Sequence, residues 1–154
     1  MSIYNKINIA IIGATGYTGL DLVYILSRHS RVKIKYLCAT KNLGKKISFF
    51  DKRIKKKLPK ISSIKNIDWM NLHLVFLSLP NGQAQKLIKK IYFKNKDLKF
   101  IDLSADFRIS NIKTFEKNYN FKHKAKNLIK DSFYSMPELN NQKINKFRII
   151  SNPG

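Results

Sequence analysis

The stretch that most limits what this chain can become is Ile7–Leu26, INIAIIGATGYTGLDLVYIL. An apolar run, Ile9 to Ile12, ends at Gly13, and Gly16 and Gly19 follow at intervals of three. Apolar residues then return at Leu20, Val23, Ile25 and Leu26 with helical spacing. The order is strand, glycine turn, helix. Glycine allows backbone angles and close approaches that a Cβ forbids. The first turn of a helix offers N–H groups and a positive dipole end, so this corner suits a phosphate group. The bland alternative is a tight turn with nothing bound to it.

The rest of the chain repeats that alternation. Strand one reads as Ile7–Ile12 and helix one as Thr18–Ser30, closed by the cations Arg28 and His29. Strand two reads as Val32–Ala39, where Val32, Ile34, Tyr36 and Cys38 alternate with Lys33 and Lys35. That puts Cys38 on the apolar face as an inert thiol. Residues Ile47–Asp68 form a lysine-rich connection with room for one short strand. Leu72–Leu79 is a continuous apolar run, as in a central parallel strand, with His73 in a structural role at its start. It ends in Pro80-Asn81-Gly82, a loop at the carboxyl end of a strand, where open α/β sheets bind ligands. Gln83–Tyr92 reads as a helix and Lys99–Leu103 as a strand. Ile109–Asp131 lacks firm periodicity. It reads as a covering segment with one helix near Lys113–Tyr119 and with His123 solvated between lysines. Phe133–Leu139 reads as a ligand-facing loop, and Phe147–Ser151 as the last strand. Strands and helices in this order predict an α/β fold, a Rossmann-like doubly wound parallel sheet.

Composition narrows the function. With 44% hydrophobic residues in 154, the chain can bury a core, which excludes a disordered linker. A single cysteine excludes an internal disulfide and suits a reducing, cytoplasmic compartment. No apolar run approaches bilayer length, and no metal-ligand cluster stands out, so neither membrane nor metal is expected. The 31 Lys and Arg against 9 Asp and Glu would, read alone, suggest nucleic acid. The lysines are spread from Lys6 to Lys146, however, so the expectation is solvated faces and no nucleic acid.

The end of strand two bears on cofactor choice. Dinucleotide sites that take NAD commonly place an acid about 20 residues past the glycines, on the ribose 2′-OH. Here the sequence is Thr40-Lys41-Asn42-Leu43-Gly44-Lys45-Lys46. A hydroxyl and cations suit a 2′-phosphate, which favours NADP; the alternative is a solvated basic loop.

The set GATGYTG (Gly13–Gly19), LPNG (Leu79–Gly82), IDLSADFR (Ile101–Arg108), MPELN (Met136–Asn140) and SNPG (Ser151–Gly154) resembles N-acetyl-gamma-glutamyl-phosphate reductase, over essentially the whole chain. The resemblance implies an NADPH-dependent reduction of an acyl phosphate to an aldehyde, in arginine biosynthesis, by a protein that is a homo-oligomer at full length. It implies that Gly13, Thr15, Gly16, Tyr17, Thr18 and Gly19 hold the cofactor diphosphate. Thr40 and Lys41 would lie near the adenosine ribose, and Pro80 on the nicotinamide side. Ser104 and Arg108 would meet substrate anions, since the Arg fork grips a carboxylate or phosphate with two hydrogen bonds. The alternative for Arg108 is an ion pair with Asp102 or Asp106. Glu138 and Asn152 would shape the substrate side, or Glu138 would be a solvated loop carboxylate.

The family's nucleophilic cysteine stands directly after SNPG, one position beyond Gly154. A thiolate there attacks the acyl phosphate, expels phosphate and leaves a thioester for hydride transfer. The expectation is therefore a truncated NAD(P)-binding domain over residues 1–154, without catalytic residues and without the second, substrate and dimerisation domain. Such a piece would bind NADP(H) without reductase activity. Two departures from the family pattern concern Asn81, where the family often has His, and Ser135, where it has Gly. The sibling readings are an aspartate- or aminoadipate-type semialdehyde dehydrogenase, and a non-catalytic NADP-binding module.

Overall fold

A computed structural model describes residues 6–153, except the side chains of residues 140–143. The chain forms two compact units that divide between Ser78 and Leu79. Every strand pairing within either unit is parallel, and the fold is Rossmann-like α/β.

In the first unit, strands β1 (Ile7–Ile12), β2 (Val32–Cys38), β3 (Ile61–Ser62) and β4 (Leu74–Leu77) lie in the order β3-β2-β1-β4. β1 is central because it has no polar face to give to water. Ile9, Ala10, Ile11 and Ile12 are at most 1% exposed, as a parallel strand covered on both sides requires. Ile9 stands opposite Ile34 on one side and Leu74 on the other. Helix α1 (Tyr17–Arg28) turns Gly19, Val23 and Ser27 inward and carries Arg28 in its last turn. His29 is its C-cap residue, as the sequence suggests. His73 is structural too: its Nδ1 accepts from the Asn8 backbone N–H at 2.9 Å. The connection 39–60 is held by backbone bonds and by Ile47 and Ile54, both buried.

In the second unit, β5 (Lys99–Asp102), β6 (Ser132–Tyr134) and β7 (Ile149–Ser151) run in the order β5-β7-β6. Helix α2 (Gln83–Ile91) buries Ala84, Gln85, Ile88 and Ile91 and points its lysines outward. Its two ends are held by charges of the sign that suits them. Asp106 sits at the first turn. Arg148 sits past the last turn and donates through Nη2 to the carbonyls of Tyr92 (2.9 Å) and Asn95 (2.8 Å). The Arg148 guanidinium also lies 3.9 Å from the centre of the Tyr92 ring. Helix α3 (Ile112–Tyr119) starts at Asn111, whose side chain accepts from Thr114 N–H, and stops at Asn120 in the left-handed conformation. This is the helix expected near Lys113–Tyr119.

Two expectations fail in this unit. Phe133–Leu139 is not a continuous loop: Phe133 and Tyr134 belong to β6, and a short helix α4 (Pro137–Asn140) follows. His123 is not solvated. It is 2% exposed, with its ring edge-on to Phe107 (5.3 Å) and Phe115 (4.9 Å).

Candidate dinucleotide site and the buried carboxylates

The three glycines of the first βα corner do three different jobs. Gly13 takes φ +85°, and a Cβ there would stand 1.8 Å from the Ser78 carbonyl oxygen. Only glycine fits this turn from β1 into α1 against the chain that leaves β4. A Cβ on Gly19 would stand 2.1 Å from the Gly13 carbonyl oxygen, so α1 seats directly on the turn. Gly16 has ordinary angles, and a Cβ there would meet nothing nearer than 3.5 Å. It is exposed, and it is the N-cap residue of α1. This division matches what a dinucleotide-binding corner needs: one glycine for the turn, one for approach of the diphosphate, one for helix packing.

The corner is anchored to the neighbouring strand. The N–H groups of Gly13 (2.9 Å) and Ala14 (3.0 Å) both donate to the Cys38 carbonyl at the end of β2. No side chain caps α1 and no acid lies in its first turn. The N–H groups that a first turn leaves without helical partners are therefore open to an anion. Tyr17, 94% exposed, and Thr18 face solvent on that turn, while Thr15 is half-buried. Two residues past Cys38 come Thr40 and Lys41, both exposed, before a bend with Asn42 and Gly44 at positive φ. Cys38 itself is fully buried, its thiol pushed up by burial, with Sγ 3.7 Å from Ser62 Oγ. It is the inert core thiol expected.

The second unit gathers most of the SADFR residues into one buried polar network. Asp106 accepts from the N–H groups of Gly82 (2.6 Å) and Gln85 (2.9 Å) at the start of α2. Asn81 Oδ1 accepts from Ala105 N–H at 3.3 Å, so the departure from His places an amide on the same network. Ser104 is buried. Its hydroxyl donates to Asp102 Oδ1 (2.6 Å) and accepts from Asp106 N–H (3.2 Å). His123 Nδ1 accepts from Ala125 N–H (3.1 Å), which leaves Nε2 to donate to the Asp106 carbonyl (2.8 Å). Burial holds the His123 ring below its usual range, in the neutral form that this pattern needs.

Asp102 is fully buried at the end of β5. Burial, and then the nearby Asp106 charge, push its carboxyl up to about 6, although Ser104 bonds oppose the shift. Asp102 Oδ2 finds no partner, nor does the hydroxyl of Ser151, which stands opposite it on β7.

Arg108 does not pair with Asp102 or Asp106, whose near oxygens are engaged as described. It donates through Nε to the Asn152 carbonyl (2.8 Å) and through Nη2 to the Leu103 carbonyl (3.2 Å). Asn152 is thus gripped from both sides, since its own N–H donates to the Asp102 carbonyl at 2.9 Å. Ser135 is buried, donates its N–H to the Ser151 carbonyl (2.9 Å) and has no positive φ, so serine fits there. Pro80 and Glu138 are exposed. Gly154, the last residue of SNPG, lies outside the described residues.

Residues 8–147 match the model of the semialdehyde dehydrogenase NAD-binding domain. The chain belongs to this family. Among its relatives, a protein of Ehrlichia ruminantium named N-acetyl-gamma-glutamyl-phosphate reductase is 41% identical over 151 residues, which is 97% of this chain and 43% of that protein. A chloroplastic protein of Arabidopsis thaliana, named as a probable reductase of the same kind, is 37% identical over 96% of this chain and 36% of its own length. The chain thus spans about two fifths of the curated relatives it matches. Aspartate semialdehyde dehydrogenase II of Vibrio cholerae shares the fold, with a TM-score of 0.66 at 22% identity over 97% of this chain and 38% of that one. The Candida albicans aspartate semialdehyde dehydrogenase, solved with NADP, gives 0.61 at 17% over 96% and 42%. Among the described residues no helix is long and apolar enough to cross a membrane, and no group of three or more His, Cys, Asp or Glu could hold a metal ion.

Proposed function

We propose that this chain is the dinucleotide-holding part of an NADPH-dependent N-acetyl-gamma-glutamyl-phosphate reductase. In that reading the whole protein reduces the acyl phosphate to the semialdehyde in arginine biosynthesis, as a cytoplasmic homo-oligomer. The observation that carries it is the division of labour among Gly13, Gly16 and Gly19 beneath an uncapped helix N-terminus.

Amides of the first turn of α1 bind the diphosphate beside exposed Gly16, with Thr15, Tyr17 and Thr18 bordering it. Thr40 and Lys41 meet the adenosine ribose and its 2′-phosphate. When bound, the nicotinamide supplies a hydride. On the substrate side, Arg108 fixes the backbone at Asn152 with part of its fork and offers the rest to an anion. Ser104, being buried, acts by holding Asp102 and Asp106 in place. Glu138 lies on the exposed rim.

Calorimetric titration of the chain with NADPH and with NADH tests this reading. NADPH is expected to bind about tenfold tighter, the value of one charge-assisted hydrogen bond to the 2′-phosphate. Lys41→Glu is expected to erase that difference while leaving NADH affinity within about twofold. Equal affinities in the unaltered chain would remove the NADP assignment, and no binding of either would remove the reading.

A further inference from the structure

Lysines occur along the whole chain, but six of the 31 Lys and Arg fall within the ten residues 51–60, and the fold sets most of these around one groove. The segment 51–60, DKRIKKKLPK, is pinned in the first unit by Ile54, 1% exposed, and turns its cations outward. Three cavities of about 530, 380 and 530 Å³ open along it. Lys56 lines all three, and Lys55 and Lys57 each line two, so the cavities are neighbours that share walls. Lys56 Nζ is held across the groove by the Ser27 carbonyl at 3.0 Å.

Lys33, Lys46 and Arg28 are among the further cations on the walls, and no carboxylate lines any of the three cavities. Asp51, at the head of the segment, and Asp21 are both engaged by Arg53, at 2.7 and 2.5 Å. The lysines lining the three cavities therefore have no carboxylate beside them on the cavity walls. The first cavity opens at the amino ends of β1 and β2, beside Lys6 and Val32, whereas the glycine corner stands at their carboxyl ends.

We propose that this groove binds the phosphodiester backbone of a nucleic acid, independently of the dinucleotide site. A small anion would fill one cavity and leave the other cations unpaired. A chain of evenly spaced phosphates engages all three. The donors are mostly lysines, compact point charges that neutralise phosphates without reading bases. Binding is expected to be independent of sequence and steep in salt.

The test is fluorescence anisotropy of this chain with a labelled 20-nucleotide single-stranded RNA, and in parallel with duplex DNA of equal length. If about four phosphates are neutralised, RNA affinity falls roughly 50-fold between 50 and 200 mM salt. Lys55→Glu with Lys57→Glu, which spares Lys56 and its bond to Ser27, is expected to cost at least about tenfold and to flatten the salt slope by about 1.4. Lys94→Glu with Lys96→Glu makes the same charge change at exposed positions of the second unit and is expected to cost less than about threefold. Thermal melts of both variants establish that they are folded. Equal losses in the two variants would mean a diffuse charge effect and overturn the proposal. So would absence of binding at 50 mM salt, or poly-glutamate binding with the same dependence on Lys55 and Lys57.

Discussion

The carboxylate of Asp106 lies 2.6 Å from the backbone nitrogen of Gly82 and accepts its hydrogen bond. Its second oxygen takes the Gln85 N–H, so one buried side chain closes the first turn of α2 from 21 or more residues away. Water cannot replace the bond to the Gln85 N–H, because Asp106 and Gln85 are both fully buried.

Asp106→Ala is therefore expected to cost about 2–4 kcal/mol, the loss of a cap plus the unpaired N–H groups it leaves. Asp106→Asn keeps one acceptor and is expected to cost about half as much. Urea unfolding followed by circular dichroism measures both. An alanine variant as stable as the parent would show that the cap is dispensable.

The glycine corner makes a sharper set of expectations. Gly13→Ala puts a methyl group against the Ser78 carbonyl at positive φ, and Gly19→Ala puts one against the Gly13 carbonyl. Both are expected to lose several kcal/mol or fail to fold. Gly16→Ala has neither obstacle and is expected to keep its stability within about 1 kcal/mol. In the proposed reading its added methyl stands where the diphosphate approaches, so NADPH affinity is expected to fall about tenfold or more. A Gly16→Ala protein with full affinity would place the diphosphate elsewhere.

Asp102 sets a pH dependence whose sign follows from its shift. Its carboxyl is raised from 3.8 in the open chain to about 6 in the fold, so between these values the native state holds the extra proton. Stability from this group is present below about pH 4 and is lost as pH rises through 6, a total of about 3 kcal/mol. His123, held low by burial, acts in the other direction, since stability falls as it is forced to charge in acid. Asp102→Asn cannot ionise, so it is expected to flatten the decline between pH 4 and 7 and to gain about 1–3 kcal/mol at pH 7.5. Melting curves across that range check this; an unchanged slope would mean that Asp102 is ionised in the fold throughout.

How much of this the sequence announces depends on whether the cause is local. The glycine corner is readable because its three positions and the flanking apolar runs lie within one short stretch. α2 is readable because Ala84, Ile88 and Ile91 recur with helical spacing. His123 is misjudged because Lys122 and Lys124 beside it are exposed, while Phe107 and Phe115, which bury it, come from elsewhere in the chain. β6 is missed because three residues are too few to display alternation. The reach of Arg148 to the carbonyls past α2 spans more than 50 positions and leaves no local mark. Arg108 looks like an anion ligand by residue type alone, and only the fold reveals the main-chain carbonyls that it also holds.

The central claim is that backbone amides at the start of α1 hold the diphosphate of NADPH. Titration of the nitrogen-15-labelled chain with NADPH, followed by amide chemical shifts, tests it most directly. The expected result is saturable movement of the Gly16, Tyr17, Thr18 and Gly19 amides, with a binding constant equal to that from calorimetry and much weakened in Gly16→Ala. Saturable binding that leaves those four amides unmoved would contradict it.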